Sequence, residues 1–218
     1  MKRIRAVLFD MDGLLLDSER LNMDCAQRVA QELGFTLDIA KLARVVCGVR
    51  REFAVEAYGR VLPDWVDAAK FYERKNVLLH ETLSTEVQPM KGAQELLEWL
   101  NERHIACVLA TATRREAAQQ RLSAVKLWDL LPYRVTGDDV THSKPHPETY
   151  LKAAAAAGVR PEECLVLEDS FNGIRAGRAS GAVVGMVPDT LPYSDECAPY
   201  CDQVFDDLTQ VIAWMKEP

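Results

Sequence analysis

The first apolar run of the chain predicts a strand that is buried on both faces. It spans residues 4–9, and its length and composition are typical of a parallel sheet covered by helices. Asp10 and Asp12 follow it, with Gly13 directly after them. Because residues two apart in an extended backbone project to the same side, both carboxylates should leave one side of the strand's carboxyl end, and the glycine permits a sharp turn there. Open α/β sheets bind their ligands at this end of their strands.

Between residues 18 and 88 the apolar positions recur at helical spacing, and we find no convincing strand pattern. Leu21, Cys25, Val29 and Leu33 recur every four residues after a possible N-cap at Asp17 and Ser18. Three further helical patterns cover residues 39–46, 50–61 and 64–82. We therefore predict a helical domain at residues 18–88, inserted into a core formed by residues 1–17 and 89–218.

Beyond His104, short apolar runs alternate with helical patterns, which is typical of a doubly wound parallel sheet. The strands are predicted at residues 105–110, 133–136, 164–167, 182–187 and 203–205, and helices at residues 93–103, 147–157 and 171–180. Another helix is predicted to start at Thr113, with Glu116 completing a capping box. The predicted fold class is α/β, with a doubly wound (Rossmann-like) parallel sheet core and an inserted all-helical domain.

Composition narrows the possible partners. A chain of 218 residues can bury a sizeable core, and its net charge of −7 argues against binding to nucleic acid, which needs a basic surface. No apolar run is long enough to span a membrane, and the first apolar stretch is interrupted by acids too early for a signal peptide. The six cysteines form no CxxC pair, which indicates a reducing environment. We expect a cytoplasmic monomer.

Polar residues stand at, or just beyond, the carboxyl ends of several predicted strands. They are Asp10 with Asp12, Thr111, Lys144, and Glu168 with Asp169. Taken singly, each has an ordinary explanation as a turn, a strand residue, a solvated loop charge or a helix cap. Their shared position at one edge of the sheet instead favours a common site.

Four carboxylates in one crevice need a cation. Two carboxylates about 4 Å apart repel by roughly 4 kcal/mol at an effective dielectric of about 20. Oxygen ligands of this kind suit Mg²⁺, which is usually shared with a substrate phosphate. A positive charge at Lys144 and a hydroxyl donor at Thr111 would complete a pocket for a transferring phosphoryl group. We therefore predict Mg²⁺ as the cofactor and a small phosphorylated metabolite as the ligand.

Four motifs in this order resemble those of the haloacid dehalogenase-like hydrolases, most of which are phosphatases. The segment FDMDGLLLDSE (residues 9–19) is similar to the first motif, Thr111 at the end of VLAT to the second, Lys144 in SKPHP to the third, and LEDS (residues 167–170) to the fourth. The resemblance covers nearly the whole chain. It implies a phosphomonoester hydrolase of the phosphatase and β-phosphoglucomutase-like branch that has a helical cap.

This resemblance also implies catalytic roles. Asp10 would be the nucleophile that becomes an aspartyl-phosphate. Asp12 would protonate the leaving oxygen and then activate water. Thr111 and Lys144 would hold the phosphoryl oxygens, and Lys144 would also shield Asp10.

The metal ligands follow from the same resemblance. Asp169 would bind Mg²⁺ together with the side chain of Asp10 and the backbone carbonyl of Asp12. Glu168 would bind it directly or through water.

Substrate contacts are expected from the insertion, which resembles a cap that closes over the site, excludes water and carries specificity. Within it, GVRRE (residues 48–52) resembles a loop of sugar-phosphate-handling members in which an arginine meets the substrate, and Arg51 is the better match. Lys75 is expected to face the same cleft.

Four further polar residues near these motifs have two interpretations each. Thr113 and Asn172 are candidate substrate-binding residues, although a capping box already explains Thr113. His142 and His146 flank Lys144 and suggest a metal or base, but Asp12 already supplies the acid and base, so we interpret them as loop or helix-start residues.

Three other functions are compatible with parts of this pattern. A β-phosphoglucomutase shares the scaffold and both aspartates, but has a cap histidine where this chain has Arg20, Leu21 and Asn22. A signalling receiver domain also combines aspartates, a threonine and a lysine, but it is about half as long and lacks a helical insertion. A catalytically silent binding protein would be expected to lack a motif residue, and none is missing.

Overall fold

A computed structural model describes residues 4–46 and 53–216 of the chain. In chain order its strands and helices are β1 (Ala6–Phe9), α1 (Ser18–Glu32), α2 (Ile39–Val46), α3 (Ala54–Gly59), α4 (Ala68–Thr85), α5 (Ala93–Glu102), β2 (Ala106–Ala110), α6 (Arg115–Ala124), β3 (Tyr133–Val135), α7 (Glu148–Ala156), β4 (Cys164–Glu168), α8 (Phe171–Ser180), β5 (Val183–Met186), β6 (Gln203–Val204) and α9 (Leu208–Lys216). Single turns of 3₁₀ helix lie at Trp128–Leu130, Gly137–Asp139 and Pro161–Glu163. No described helix has both the length and the apolar character needed to cross a membrane.

The strands form one parallel sheet with the order β3-β2-β1-β4-β5-β6, so the predicted doubly wound sheet is confirmed. Strand β1 lies in its interior. Phe9, the last residue of β1, is in register with Leu109 of β2 and Leu167 of β4. Because the three strands are parallel, the residues that follow them meet at the same edge of the sheet.

Both faces of the sheet are buried, as the sequence of β1 predicts. Val7 and Phe9 belong to a hydrophobic cluster that also contains residues of α5, α6 and α9. Ala6 and Leu8 belong to the opposite cluster, which includes residues of α7 and α8. This alternation is the side-chain period of a strand, and it fixes which side of the sheet each helix covers.

The described part of the insertion between β1 and α5 consists of helices α1 to α4 and their connections. These helices share a hydrophobic cluster of their own, which includes Tyr58 and Phe71. Two chain segments join the insertion to the sheet, and they hydrogen-bond to each other: the Asp17 amide donates to the Gln88 carbonyl at 3.0 Å, and the Met90 amide donates to the Leu15 carbonyl at 2.9 Å. The domain boundaries at residues 17/18 and 88/89 stay a prediction that these paired segments support.

Two features differ from the sequence-based expectations. Helix α9 was not predicted at all, although it packs on the same side of the sheet as α5. The capping box between Thr113 and Glu116 is wrong, because α6 begins at Arg115 and its N-cap, Arg114, makes no side-chain capping bond. The Thr113 hydroxyl instead donates to Asp12, so a site contact replaces the helix cap.

Candidate active site

The turn after β1 brings the first two acids to the end of the sheet. The Asp10 amide donates to the Leu167 carbonyl of β4 at 3.1 Å, which continues the sheet by one residue. Gly13 then adopts a φ of +84°, and a Cβ on it would collide with the carboxylate of Asp169. The positive φ and the close approach each require glycine, so the DxDG sequence is needed for the first motif to pass beside the fourth.

Lys144 links the two acidic strands. Its Nζ lies 2.5 Å from Asp10 Oδ1 and 2.6 Å from Glu168 Oε1, and it also donates to the Ala110 carbonyl at 3.0 Å. The three partners sit at the ends of β1, β4 and β2. Although burial alone would lower the pKa of Lys144, the charges of Asp10 and Glu168 raise it above its usual value, so the ammonium stays charged.

Glu168 is fully buried and fully engaged. Tyr150 of α7 donates its hydroxyl to Oε1 at 2.6 Å, while the amide and the hydroxyl of Ser170 donate to Oε2 at 3.2 and 2.9 Å. Burial opposes ionisation here, but Lys144 and these donors lower the pKa of Glu168. The carboxylate is therefore held ionised and in one orientation.

The carboxylates at this site carry more negative charge than Lys144 alone can neutralise. Oxygens of Asp10, Glu168 and Asp169 lie within 4.8 Å of one another. Burial, and then repulsion from Glu168 and Asp10, raise the pKa of Asp169 well above its usual value, and burial raises that of Asp10. Three carboxylates beside one ammonium are an oxygen-only, negatively charged donor set, and such a set fits a divalent cation.

Asp12 faces a different part of the chain from Asp10. The Thr113 hydroxyl donates to Asp12 Oδ2 at 2.7 Å, and Arg121 Nη1 of α6 donates to Asp12 Oδ1 at 3.3 Å. Its side chain is about one-quarter exposed, at 26%. Both carboxylate oxygens are thus held by residues that follow β2, and the group can still reach the cleft.

The other predicted residues of the core lie nearby. Thr111 directly follows β2, is buried, and accepts the Thr113 amide at 3.0 Å on its hydroxyl oxygen, so its own O–H is left to donate. Asn172 lies in the first turn of α8, two residues beyond the N-cap Ser170. These positions agree with phosphoryl and substrate contacts, respectively, and those roles stay predictions.

Lys75 is the residue that sequence analysis selected within the described part of the insertion. It lies in α4 with only 3% of its surface exposed, and its Nζ donates to Asn22 Oδ1 at 2.8 Å. The Nζ also lies 5.0 and 5.6 Å from the ring centroids of Tyr72 and Tyr58. Burial lowers the pKa of Lys75 to about 8, an effect that the charge of Glu19 partly opposes.

Glu19 and Asn22 connect Lys75 with the acidic site. The side-chain Nδ2 of Asn22 donates to Glu19 Oε2 at 3.3 Å, while its Oδ1 accepts from Lys75. Burial, and then the charge of Asp12, raise the pKa of Glu19, so this carboxyl lies within electrostatic reach of Asp12. A polar row therefore runs from Asp12 through α1 to Lys75.

Three other sequence-based expectations have separate outcomes. Arg51 lies outside the described residues. His142 and His146 are exposed: the ring Nδ1 of His142 lies 2.9 Å from Glu148 Oε2, and the Glu148 amide donates to His146 Nδ1 at 3.2 Å. These bonds belong to the loop before α7 and to its first turn, as interpreted from the sequence.

Sequence reasoning missed several residues that complete the site. Tyr150 and Ser170 carry a weak signal, since a buried tyrosine hydroxyl needs a partner and Ser170 is the last residue of the fourth motif. Glu19 is the last residue of the first motif, but no role was predicted for it. Arg121 carries no signal that we can identify, because charged residues on helices are usually solvated.

The chain matches known proteins over nearly its full length. Residues 7–187 match the family of haloacid dehalogenase-like hydrolases. A probable pseudouridine-5'-phosphatase from Drosophila melanogaster is 33% identical, over 95% of this chain and 91% of that protein.

Two solved structures have the same fold. A haloacid dehalogenase family hydrolase from Deinococcus radiodurans R1, with bound phosphate and sodium, superposes with a TM-score of 0.87 at 26% identity, over 99% of this chain and 96% of that one. A putative beta-phosphoglucomutase from Thermotoga maritima gives a TM-score of 0.78 at 27% identity, over 96% of this chain and 99% of that one.

Proposed function

Because the chain belongs to the haloacid dehalogenase-like hydrolases, we propose that this phosphomonoester hydrolase acts on a small phosphorylated sugar or similar metabolite, through an aspartyl-phosphate and with bound Mg²⁺. The observation that carries the proposal is the position of Lys144. It joins Asp10 and Glu168 at 2.5 and 2.6 Å where three parallel strands end. Such a site has a nucleophile, a fixed positive charge and a metal-binding face within one crevice.

In the first step Asp10 attacks phosphorus. Lys144 fixes Oδ1 of Asp10, so we assign the attack to Oδ2. A bond forms between this oxygen and phosphorus, the bond from phosphorus to the leaving oxygen breaks, and the proton of the Asp12 carboxyl passes to that oxygen. Lys144 and the Thr111 hydroxyl stabilise the charge on the phosphoryl oxygens.

In the second step water replaces the metabolite. Asp12, now a carboxylate, accepts a proton from water as its oxygen attacks phosphorus. The bond between phosphorus and Asp10 then breaks, which regenerates the Asp10 carboxylate and releases inorganic phosphate.

The divalent ion would be held by Asp10, Asp169 and the backbone carbonyl of Asp12. Glu168 already accepts bonds from Lys144, Tyr150 and Ser170, so we propose that it contributes through water. When bound, Mg²⁺ supplies positive charge that neutralises the phosphoryl group and balances the carboxylates.

The substrate class rests on the relatives and on the insertion. The Drosophila relative is described as a probable pseudouridine-5'-phosphatase. Lys75 and Asn22 present an ammonium and an amide from helices of the insertion, which is chemistry suited to hydroxyl or anionic groups. We propose that Lys75 and Arg51 meet the part of the substrate that leaves.

A mutase is the alternative, because the Thermotoga neighbour is described as a putative β-phosphoglucomutase. Such an enzyme must keep its aspartyl-phosphate from water until a sugar hydroxyl arrives. In the stretch where the mutase has its cap histidine this chain has Arg20, Leu21 and Asn22, none of which is a histidine. This arrangement supports water as the acceptor.

A panel of phosphate esters, assayed for phosphate release with Mg²⁺ and with a chelator, tests the proposal. We expect release from at least one sugar phosphate or nucleoside monophosphate, loss on chelation, and no release by Asp10→Asn, while Asp129→Asn at an exposed surface position serves as control. Near-normal turnover by Asp10→Asn would show that the nucleophile is another residue. Glucose 6-phosphate formed from β-glucose 1-phosphate over many turnovers, with little free phosphate, would establish the mutase.

A further inference from the structure

Arg121 is a half-buried residue outside the four motifs, and it contacts Asp12, the proposed acid. It lies on α6, whose neighbours Ala118 and Leu122 pack against the sheet. Its side chain is only 18% exposed, and its Nη1 lies 3.3 Å from Asp12 Oδ1. Ion pairs that stay partly exposed to solvent contribute little to stability, about 0–1 kcal/mol, so stability alone gives little reason to direct an arginine toward this carboxyl.

The geometry of the contact restricts Asp12. An aspartate side chain is oriented by two torsions, and one hydrogen bond can leave the carboxyl plane free to rotate. Here Arg121 holds Oδ1 while the Thr113 hydroxyl holds Oδ2 at 2.7 Å, so the two oxygens are fixed by different elements. Each carboxylate oxygen has more than one lone-pair direction, and Asp12 can therefore keep both contacts and still face a reacting group.

We propose that Arg121 is a positioning residue that orients Asp12 for proton transfer to the leaving oxygen. The inference rests on the proposed function. In the transfer, the proton leaves the Asp12 carboxyl for the leaving oxygen as the bond between that oxygen and phosphorus breaks, and Arg121 keeps all of its own protons. Its guanidinium remains next to the carboxylate that this step produces, which stabilises the product of the transfer.

A positioning role predicts a dependence on the leaving group. An oxygen that is a poor leaving group needs a proton in the transition state, whereas p-nitrophenolate leaves readily without one. Phenyl phosphate and p-nitrophenyl phosphate share a ring and differ in this property, so contacts to the ring are matched between them. Loss of a correctly held acid should therefore affect phenyl phosphate much more.

The experiment measures kcat and kcat/KM for both esters with wild-type enzyme, Arg121→Met and Arg121→Lys, at saturating Mg²⁺. For Arg121→Met we expect kcat on phenyl phosphate to fall about 30-fold and on p-nitrophenyl phosphate less than about threefold, since general acid catalysis contributes about 10²–10⁴-fold. Arg121→Lys should recover part of the loss, because it restores a donor to Oδ1. The control is Arg115→Met, on the same helix and paired with Asp139 at 2.7 Å, for which both rates should stay unchanged.

The outcomes separate this inference from the proposed function. Equal losses on the two esters, or no loss on either, would overturn the positioning role while leaving the phosphatase intact. A loss confined to KM would also overturn it, since that pattern indicates a binding contact. Wild-type enzyme that hydrolyses no phosphate ester would overturn the proposed function, and this inference with it.

Discussion

The sheet edge and the helical insertion each bury a lysine, and they treat its charge in opposite ways. Lys144 is enclosed by carboxylates, with Asp10 Oδ1 at 2.5 Å and Glu168 Oε1 at 2.6 Å. Lys75 is as deeply buried, but its nearest partner is the neutral amide of Asn22, and two tyrosine rings surround it. The pKa of Lys144 is raised, while that of Lys75 is lowered to about 8.

The difference follows from the cost of removing an ammonium from water. Opposite charges at short range compensate for that cost, so Lys144 keeps its charge and its place. Amides and aromatic faces compensate only in part, so an anion or hydroxyl placed next to Lys75 would stabilise its charge. The sheet edge is thus organised before substrate arrives, whereas we expect the insertion to become fully satisfied only when substrate is bound.

The largest expected effect comes from removing Lys144, whose charge is balanced by Asp10 and Glu168. Lys144→Met leaves Asp10 and Glu168 without their shared ammonium, and it removes a positive charge from the transferring phosphoryl group. We expect kcat for phosphate release to fall about a thousandfold, which is about 4 kcal/mol in activation free energy.

The matched control for Lys144→Met is Lys152→Met. Lys152 also pairs with a glutamate, Glu148 at 2.6 Å, but on the exposed surface of α7, and its loss should leave kcat within about twofold. Circular dichroism would confirm that both variants fold. A folded Lys144→Met enzyme with ordinary turnover would mean that the sheet edge needs no fixed cation.

The next effect concerns stability rather than rate. The pKa of Lys75 is about 8 in the folded protein and about 10.4 in an unfolded chain, so between these values the unfolded state binds more protons. The free energy of unfolding should therefore rise with pH across this window, by at most about 3 kcal/mol from this group. Lys75→Met removes that contribution.

Urea unfolding of wild type and Lys75→Met from pH 7.5 to 10.5 checks this. As pH rises, the free energy of unfolding of wild type should increase relative to that of Lys75→Met. The contributions of other titrating groups cancel because both proteins contain them. Lys70→Met, at an exposed position of the same helix, should show a constant difference. A constant difference for Lys75→Met as well would show that Lys75 is not buried in its charged form.

The same contrast explains how much the sequence could reveal. Asp10, Thr111, Glu168 and Asp169 stand at or just beyond strand ends, and strand ends converge by a general rule of parallel sheets, so their proximity could be predicted. Lys144 is in a loop, and its place at the site was predicted from the positive charge that a phosphoryl pocket needs and from the resemblance of SKPHP to the third motif. The fold class was therefore accessible from patterning, and the candidate site from charge together with the resemblance of four motifs to a known family.

Contacts made by single helical residues were not accessible in this way. Arg121 reaches Asp12 across 109 positions of the chain, and nothing in the spacing of α6 distinguishes it from a solvated arginine. Thr113 satisfied a capping pattern and so received a local explanation that the structure replaces with a contact to Asp12. Which face of a helix meets the cleft depends on packing, and sequence periodicity defines only the side that meets the core.

The smallest expected effect tests whether the insertion selects the substrate. Since Lys75 is held by neutral groups, a sugar phosphate with hydroxyl or anionic groups beyond the ester should gain from its ammonium, whereas p-nitrophenyl phosphate should not. We expect Lys75→Met to lower kcat/KM for the best sugar phosphate about tenfold, or about 1.4 kcal/mol, mainly through KM. The rates for p-nitrophenyl phosphate should stay nearly unchanged.

The pH dependence of KM tests the same contact. In wild-type enzyme the KM for the sugar phosphate should rise as pH passes the Lys75 pKa of about 8, because the deprotonated amine attracts these groups less, and Lys75→Met should lack that rise. Equal losses on both esters would instead assign Lys75 to the packing of α1 against α4, and the insertion would then have to select substrate through other residues.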